Sequence, residues 1–373
     1  MTTPSNPWLL TLALAEEAVG LSDPNPRVGC VIVSADGRTL LGQGHTQAAG
    51  GPHAEVMALR DAQARGADVR GATVYVSLEP CAHHGRTPPC CDALVAAGVG
   101  RVEIALGDPN PLVNGQGTAR IAAAGIAIGH APEAIARQAR ELNIGFFSRM
   151  ERGRPWVRMK IAASLDGRTA LPNGASQWIT GADARADGHA YRRRAGAVLT
   201  GIGTVLADDP SLDVRLVQTA RQPLRCVVDA RLDTPPGARL FDAGSPVILF
   251  TASTDTARRA ALAARGAEIV DVAADADGRL DLHAVLAHLA ALPVNELHVE
   301  AGAALNGALL EAGLVDELLL YLAPTLLGAG RDMAVLGPLQ ELAAALPFEF
   351  DSAVRVGADL RILARKALAP ALR

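Results

Sequence analysis

Short, continuous apolar runs of strand length alternate with helix-length stretches along most of the chain. In the first 150 residues, VGCVIV (28–33), ATVYVSLE (72–79) and RVEIALG (101–107) read as buried strands. Unbroken β-branched runs, rather than strict alternation, suit a sheet covered on both faces. Helices are predicted to begin near His53, Cys90 and Pro132, the last running through PEAIARQARELNIGFFSRM (132–150). The charged, Gly- and Pro-bearing ERGRP (151–155) then reads as a linker. A second series opens at WVRMKIAASLDG (156–167) and continues through GAVLTGIG, RCVVDA, PVILF, AEIVDV, ELHVEAG and ELLLYLAP, ending at 324. The pattern predicts two α/β domains, 1–150 and 151–373.

The bulk numbers agree with this division. The chain has 373 residues, 49% hydrophobic and 20% charged, which is globular and long enough for two cores. A formal charge of −4 and 3% aromatic residues give no sign of a nucleic-acid partner. The N-terminal MTTPSNPWLLTLALAEEAVG lacks a basic leader and carries two glutamates, so it reads as an amphipathic helix. No apolar run approaches the length of a membrane span. Five cysteines, four of them in the first quarter of the chain, suit a reducing compartment and a metal site better than disulfides. Cytoplasm is the expected location, and a homo-oligomer the expected assembly.

The candidate chemistry sits in GPHAEVMALR (51–60) and EPCAHHGRTPPCC (79–91). His53 and Glu55, two apart, would lie about 200° apart on a helix, which suits one metal ligand and one neighbouring acid/base. Pro89 precedes a predicted helix opening at Cys90, whose thiolate the helix N-terminus would stabilise. Cys91 would point about 100° away. His53, Cys81 and Cys90 are therefore assigned to zinc, with water in a fourth position and Glu55 carrying protons. A closed structural zinc site completed by His83 or His84, and metal-free packed cysteines, are the competing readings. DPNP occurs twice, at 23–26 and 108–111, each copy a rigid turn beside a strand.

HAE followed by PC and a later Cys resembles the zinc nucleobase-deaminase signature, except that eight residues rather than two separate Cys81 from Cys90. With DPNPRVGCVIV, this enlarged form closely resembles the deaminase half of the bifunctional riboflavin-biosynthesis deaminase/reductases. The resemblance implies a cytidine-deaminase-like α/β/α zinc domain that acts on a phosphorylated diaminopyrimidinone ribosylamine. It makes Asn25 a candidate substrate contact, and His83 and His84 candidates for the phosphorylated sugar.

The second domain offers no strong motif of its own. GIGTVL (201–206) lacks the third glycine of a dinucleotide fingerprint, and GAALNG (302–307) lacks the Lys-Ser/Thr of a P-loop. Yet MKIAASLDGRTA, SQWIT, TGIGTVLADDPSLDVR and VEAGAALNGALLEAGLVDELLLYLAPTLLG resemble, in order, the reductase half of the same family. That resemblance implies a dihydrofolate-reductase-like α/β domain that uses NADPH to reduce a ribosyl group to a ribityl chain. It places Ala162, Trp178, Thr204, Asp208 and the stretch Gly302, Ala303, Ala304 and Leu305 at the cofactor. Ser176, Arg192, Leu212, Arg215 and Glu300 fall at substrate positions, with Arg192 and Arg215 suited to a phosphate. Lys160 and Asp166 lie in the first motif and could orient substrate or structure. Ala230 stands where the family often has a substrate-contacting Ser. The alternatives are a nucleoside or RNA deaminase with an appended binding domain, and a structural zinc protein with a nucleotide-sensing tail.

Overall fold

The computed structural model describes residues 6–82, 89–111 and 113–366. The chain divides into two compact units, Met1–Gly153 and Arg154–Arg373. His83 and His84 lie outside the described residues.

The first unit runs α1 (Pro7–Glu17), β1 (Gly29–Val33), β2 (Leu40–His45), α2 (Ala54–Ala64), β3 (Thr73–Val76), α3 (Cys90–Ala97), β4 (Arg101–Ile104), α4 (Gln116–Ala123), β5 (Ala127–His130), α5 (Glu133–Leu142) and α6 (Ile144–Arg152). Its sheet has the order β2-β1-β3-β4-β5; β1 pairs antiparallel with β2 and β3, while β3, β4 and β5 are parallel. Alternate residues of β1 enter different cores. Cys30 and Ile32 pack with residues of α2, α3 and α4, whereas Val31 and Val33 pack with Leu14 of α1. Cover on both faces explains why the strand is apolar throughout.

The helix expected over 132–150 is two. Asn143 ends α5 and begins α6, because its side chain is committed elsewhere: Oδ1 accepts from Arg27 N at 2.7 Å and Nδ2 donates to Arg27 O at 2.9 Å. A side chain bonded to a distant backbone competes with helix continuity. Arg152, expected in the linker, closes α6, and Gly153 caps it in the left-handed conformation at φ 67°.

The second unit contains β6 (Trp156–Ser164), β7 (Arg168–Ala170), α7 (Ala182–Arg194), β8 (Ala197–Gly201), α8 (Ile202–Asp208), β9 (Leu224–Val228), β10 (Val247–Thr251), α9 (Thr256–Ala263), β11 (Ala267–Asp271), α10 (Leu282–Ala291), β12 (Glu296–Val299), α11 (Ala303–Glu311), β13 (Glu317–Ala323), β14 (Arg331–Asp332), β15 (Phe348–Val356) and β16 (Asp359–Lys366). Nine strands follow the order β11-β10-β9-β8-β12-β6-β13-β16-β15, parallel as far as β13 and antiparallel beyond it. One face packs on α10 and α11. On the other, α8 and α9 cover β9 and β10, and α7 covers β13.

The face beneath α7 is polar yet buried. Leu297 and Val299 of β12 enter the apolar core, while Glu296 and His298, pointing the other way, are 1% and 0% exposed. Glu296 accepts from Arg158 of β6 at 2.7 Å and from Arg194 of α7 at 3.2 Å. Arg158 also pairs with Glu317 of β13, which Arg365 of β16 holds at 3.0 Å. Burial would disfavour the Arg158 charge, but the two carboxylates outweigh it and raise its pKa.

Candidate active sites

In the first unit the sequence brings the expected ligands together from three elements. His53 caps α2, Cys81 follows β3, and Cys90 is the first residue of α3. His53 Nδ1 lies 3.6 Å from Cys81 Sγ and 3.3 Å from Cys90 Sγ, and the three ligand atoms all fall within 4.8 Å of one another. Tetrahedral zinc with ordinary Zn–N and Zn–S bonds separates such atoms by about 3.6 Å, so the donor set fits that ion. Cys91 is buried in the apolar core instead.

Two details differ from the sequence reasoning. His53 has extended backbone (φ −77°, ψ 169°) and stands before the helix, so a helical angle to Glu55 does not describe the pair. The N–H at the start of α3, that of Cys90, points at Cys81 Sγ over 3.3 Å rather than at its own sulfur. Accordingly the Cys81 thiol is pulled down to about 4, first by its hydrogen bond with Cys90, while the Cys90 thiol is pushed up by that contact and by burial. The pair gives up one proton readily and resists losing the second.

Glu55, in the first turn of α2, is 3% exposed and lines the same cleft as His53 and Cys81. Burial, and then the charge of Cys81, push its carboxyl up to about 7. That value suits a group that accepts and returns protons near neutrality. The cleft encloses about 540 Å³ and is lined by both DPNP turns, through Pro24, Asn25 and Pro26 on one side and Asp108 and Asn110 on another. The repeat thus marks two walls of one cavity, and Asn110 is a lining residue that the sequence reasoning passed over.

A second residue went unnoticed. Glu79, 5% exposed, accepts from Asp108 N (3.3 Å) and Gly115 N (3.0 Å) at Oε2, and from Thr118 N and Oγ1 (both 3.0 Å) at Oε1. It ties the second DPNP turn to the start of α4. Gly117 passes so close to this junction that a Cβ there would stand 1.9 Å from Pro80 O.

In the second unit one cleft of about 860 Å³ gathers every expected cofactor and substrate residue except Asp166. Ala162, Trp178, Thr204, Asp208, Gly302, Ala303, Ala304 and Leu305 line it together with Lys160, Ser176, Arg192, Leu212, Arg215 and Glu300. Gly302 is the N-cap of α11, so the free N–H groups of that helix start open onto the cleft where the cofactor stretch was expected. Trp178 is 65% exposed with the Arg185 guanidinium 4.5 Å from its ring centre, a cleft wall rather than a core residue.

Glu300 is the most heavily engaged group. Arg192 grips its carboxylate through Nε and, at 2.9 Å, Nη2, and Lys160 Nζ lies 3.9 Å from Oε2. Burial opposes the carboxylate charge, yet Arg192 and then Lys160 hold its pKa well below the usual range. Arg192 also donates to Asp213 O at 2.7 Å, so most of its fork is already spent within the protein. Arg215, half exposed and paired with Asp213 at 2.6 Å, keeps more of its donors for an anion. Asp166 is not among the cleft residues; it accepts from Ser164 Oγ (2.6 Å), Leu327 N (3.0 Å) and Gly328 N (2.7 Å), which makes it a brace for that loop.

Comparison with known proteins places this architecture. Residues 155–362 match the RibD C-terminal domain, and residues 5–106 match the cytidine and deoxycytidylate deaminase zinc-binding region. The riboflavin biosynthesis protein RibD of Escherichia coli is 44% identical over 362 residues, covering 94% of this chain and 95% of its own. The structure of RibD from Acinetobacter baumannii (form 1) superposes with a TM-score of 0.87 at 39% identity, over 97% of this chain and 98% of that one. A diaminohydroxyphosphoribosylaminopyrimidine deaminase/5-amino-6-(5-phosphoribosylamino)uracil reductase from Thermotoga maritima gives 0.84 at 31% identity, over 96% and 97%.

Proposed function

The chain belongs to the RibD family of bifunctional riboflavin-biosynthesis deaminase/reductases, and from that premise we propose which of its residues carry each half-reaction. The enzyme deaminates 2,5-diamino-6-ribosylamino-4(3H)-pyrimidinone 5′-phosphate hydrolytically with zinc, then reduces the ribosyl group of the product to a ribityl chain with NADPH. Its halves have the cytidine-deaminase-like and dihydrofolate-reductase-like folds. We assign deamination to residues 1–150 and reduction to 151–373.

In the first half His53, Cys81 and Cys90 hold the zinc, which when bound activates water toward the amine-bearing ring carbon. Glu55 takes the two protons of that water in turn at its carboxylate, returning the first to the ring nitrogen and the second to the departing ammonia. Asn25 orients the pyrimidine. The observation that carries this reading is the convergence of one imidazole and two thiols within 4.8 Å, beside a buried carboxyl whose pKa is about 7.

In the second half NADPH supplies the hydride. Thr204, Asp208 and the start of α11 bind the cofactor, with Ala162 and Trp178 walling it. Ser176, Leu212, Arg215, Glu300, Lys160 and Arg192 bind the substrate, Arg215 reaching its phosphate and Lys160 and Arg192 fixing Glu300. With alanine at Ala230, one polar substrate contact that relatives often make is missing. The protein works in the cytoplasm as a homo-oligomer. Support for the assembly comes from exposed large apolar side chains late in the second unit, Val335, Leu339, Leu342 and Phe350 being 62%, 55%, 94% and 78% exposed.

The test is a stopped assay that follows ammonia release and NADPH oxidation together. Ammonia first, with NADPH consumed only afterwards, is the expected order. Glu55→Gln should retain zinc, lose ammonia release, and still reduce a supplied deaminated intermediate. Loss of zinc from that variant would make Glu55 a ligand and undo the assignment.

A further inference from the structure

The buried polar face beneath α7 contains one group that neither half-reaction has used. His298 lies in β12 between Glu296 and Glu300, opposite Arg158 of β6, and its side chain is 0% exposed. On one side stands the Arg158, Glu296 and Glu317 cluster, which Arg194 and Arg365 complete. On the other stands the carboxylate of Glu300 at the edge of the cleft. His298 Nε2 approaches Glu300 Oε1 to 3.2 Å, the same oxygen that Arg192 Nε reaches.

The contact is close but off-axis. In the ring orientation of the structure neither imidazole nitrogen makes a hydrogen bond, although both are sealed from water. An unpartnered imidazole is an unfavourable tenant for such a place, where an aliphatic side chain would cost nothing in desolvation. Burial, with Arg192 and Arg158 nearby, holds its pKa below the ordinary histidine value, although Glu300 works against that. The ring is therefore neutral near pH 7 and carries one N–H. On Nε2, that hydrogen sits on the nitrogen 3.2 Å from Oε1.

We propose that His298 is a positioning residue for the reductase reaction: its Nε2–H fixes Glu300 Oε1 from below, opposite the cleft, so that the carboxylate meets the ribosyl substrate in one orientation. Arg192 meets both oxygens of Glu300 with a two-pronged grip, and Lys160, 3.9 Å from Oε2, adds charge without a hydrogen bond. His298 adds a donor at the Oε1 that Arg192 Nε also meets, and so backs that grip from the buried side. The inference rests on the reading of Glu300 as a substrate contact.

The experiment uses the full-length, zinc-loaded protein with three variants, His298→Leu, His298→Gln and Glu300→Gln. Reduction is measured on supplied deaminated intermediate, deamination on the first substrate. In His298→Leu the KM for the intermediate should rise about tenfold. The KM for NADPH and the deaminase rate should hold, and the unfolding temperature should not fall. His298→Gln, which keeps an N–H near the same point, should recover most of the loss. A wild-type KM for the intermediate in His298→Leu, with a raised one in Glu300→Gln, overturns the inference alone. A wild-type KM in Glu300→Gln removes the reading of Glu300 and the inference with it. A His298→Leu protein that loses both activities and unfolds earlier also overturns it, because the role would then be structural.

Discussion

Replacing Glu79 by glutamine changes one oxygen into an amide and preserves the shape. Four donors converge on the native carboxylate, two at each oxygen, and three of them are backbone N–H groups that cannot turn away. The new NH2 must face one of these pairs. Facing Asp108 N and Gly115 N it would oppose two fixed donors. Facing Thr118 it would oppose only the backbone N–H, since the hydroxyl can rotate and accept. The second placement wins. It leaves one buried donor unmet, worth about 1–3 kcal/mol, and weakens the remaining bonds by removing the charge. Glu79→Gln should therefore cost about 2–4 kcal/mol, a large share of the roughly 5–15 kcal/mol that holds a domain folded. The assay is urea unfolding of the zinc-loaded protein, read as a lower midpoint at unchanged slope. Because the Asp108 turn walls the first cleft, the deaminase KM should rise while reduction of supplied intermediate is unaffected. A midpoint within about 0.5 kcal/mol of wild type, or an equal loss in both half-reactions, would refute this account of Glu79.

Three further outcomes are expected. Gly117→Ala places a methyl 1.9 Å from Pro80 O, which no rotamer can relieve, so it should cost about 1–3 kcal/mol in the same unfolding experiment. In the second unit burial opposes the Glu317 charge, but Arg158 and Arg365 overcome it and hold the pKa down, as Arg192 and Lys160 do for Glu300. A depressed carboxylate stabilises fully above its unfolded pKa of about 4.3 and loses that contribution as pH falls through the folded value; the protection of β12 and β13 amides against exchange, relative to the intrinsic rate at each pH, should accordingly fall below that pH and hold above it. Chelation should abolish ammonia release and spare reduction of supplied intermediate, and added zinc should restore the first activity, which coupled assays before and after dialysis will show.

What the sequence disclosed depended on how local each cause was. The strand β1 was legible because cover on both faces leaves a continuous apolar run. The cluster of candidate ligands was legible because His53 and Cys90 stand at helix starts and Cys81 follows a strand end. The break at Asn143 was not, since its partner Arg27 lies 116 positions away in the chain. β15 also escaped, because most of its residues are exposed and no apolar period marks it. Glu79 looked like part of a motif, and its task became visible only when the 108–118 segment folded over it. The repeated DPNP was the one signal that could have identified Asn110, had the two copies been read as walls of a single cavity.

The buried charges beneath α7 also bear on how the sheet is sorted. Seven parallel strands rich in Val, Ile and Leu offer many nearly equivalent pairings, and a slip of one residue would exchange the two faces of a strand. For β12 that slip would drive Glu296 into the apolar layer against α10 and α11, and the same error in β6 would bury Arg158 away from both carboxylates. The native alignment sets Arg158 level with Glu317 and within reach of Glu296 two positions along β12, so that one guanidinium meets both carboxylates. These residues act as an address written across three strands, admitting one neighbour order and one register among many that hydrophobicity alone would tolerate.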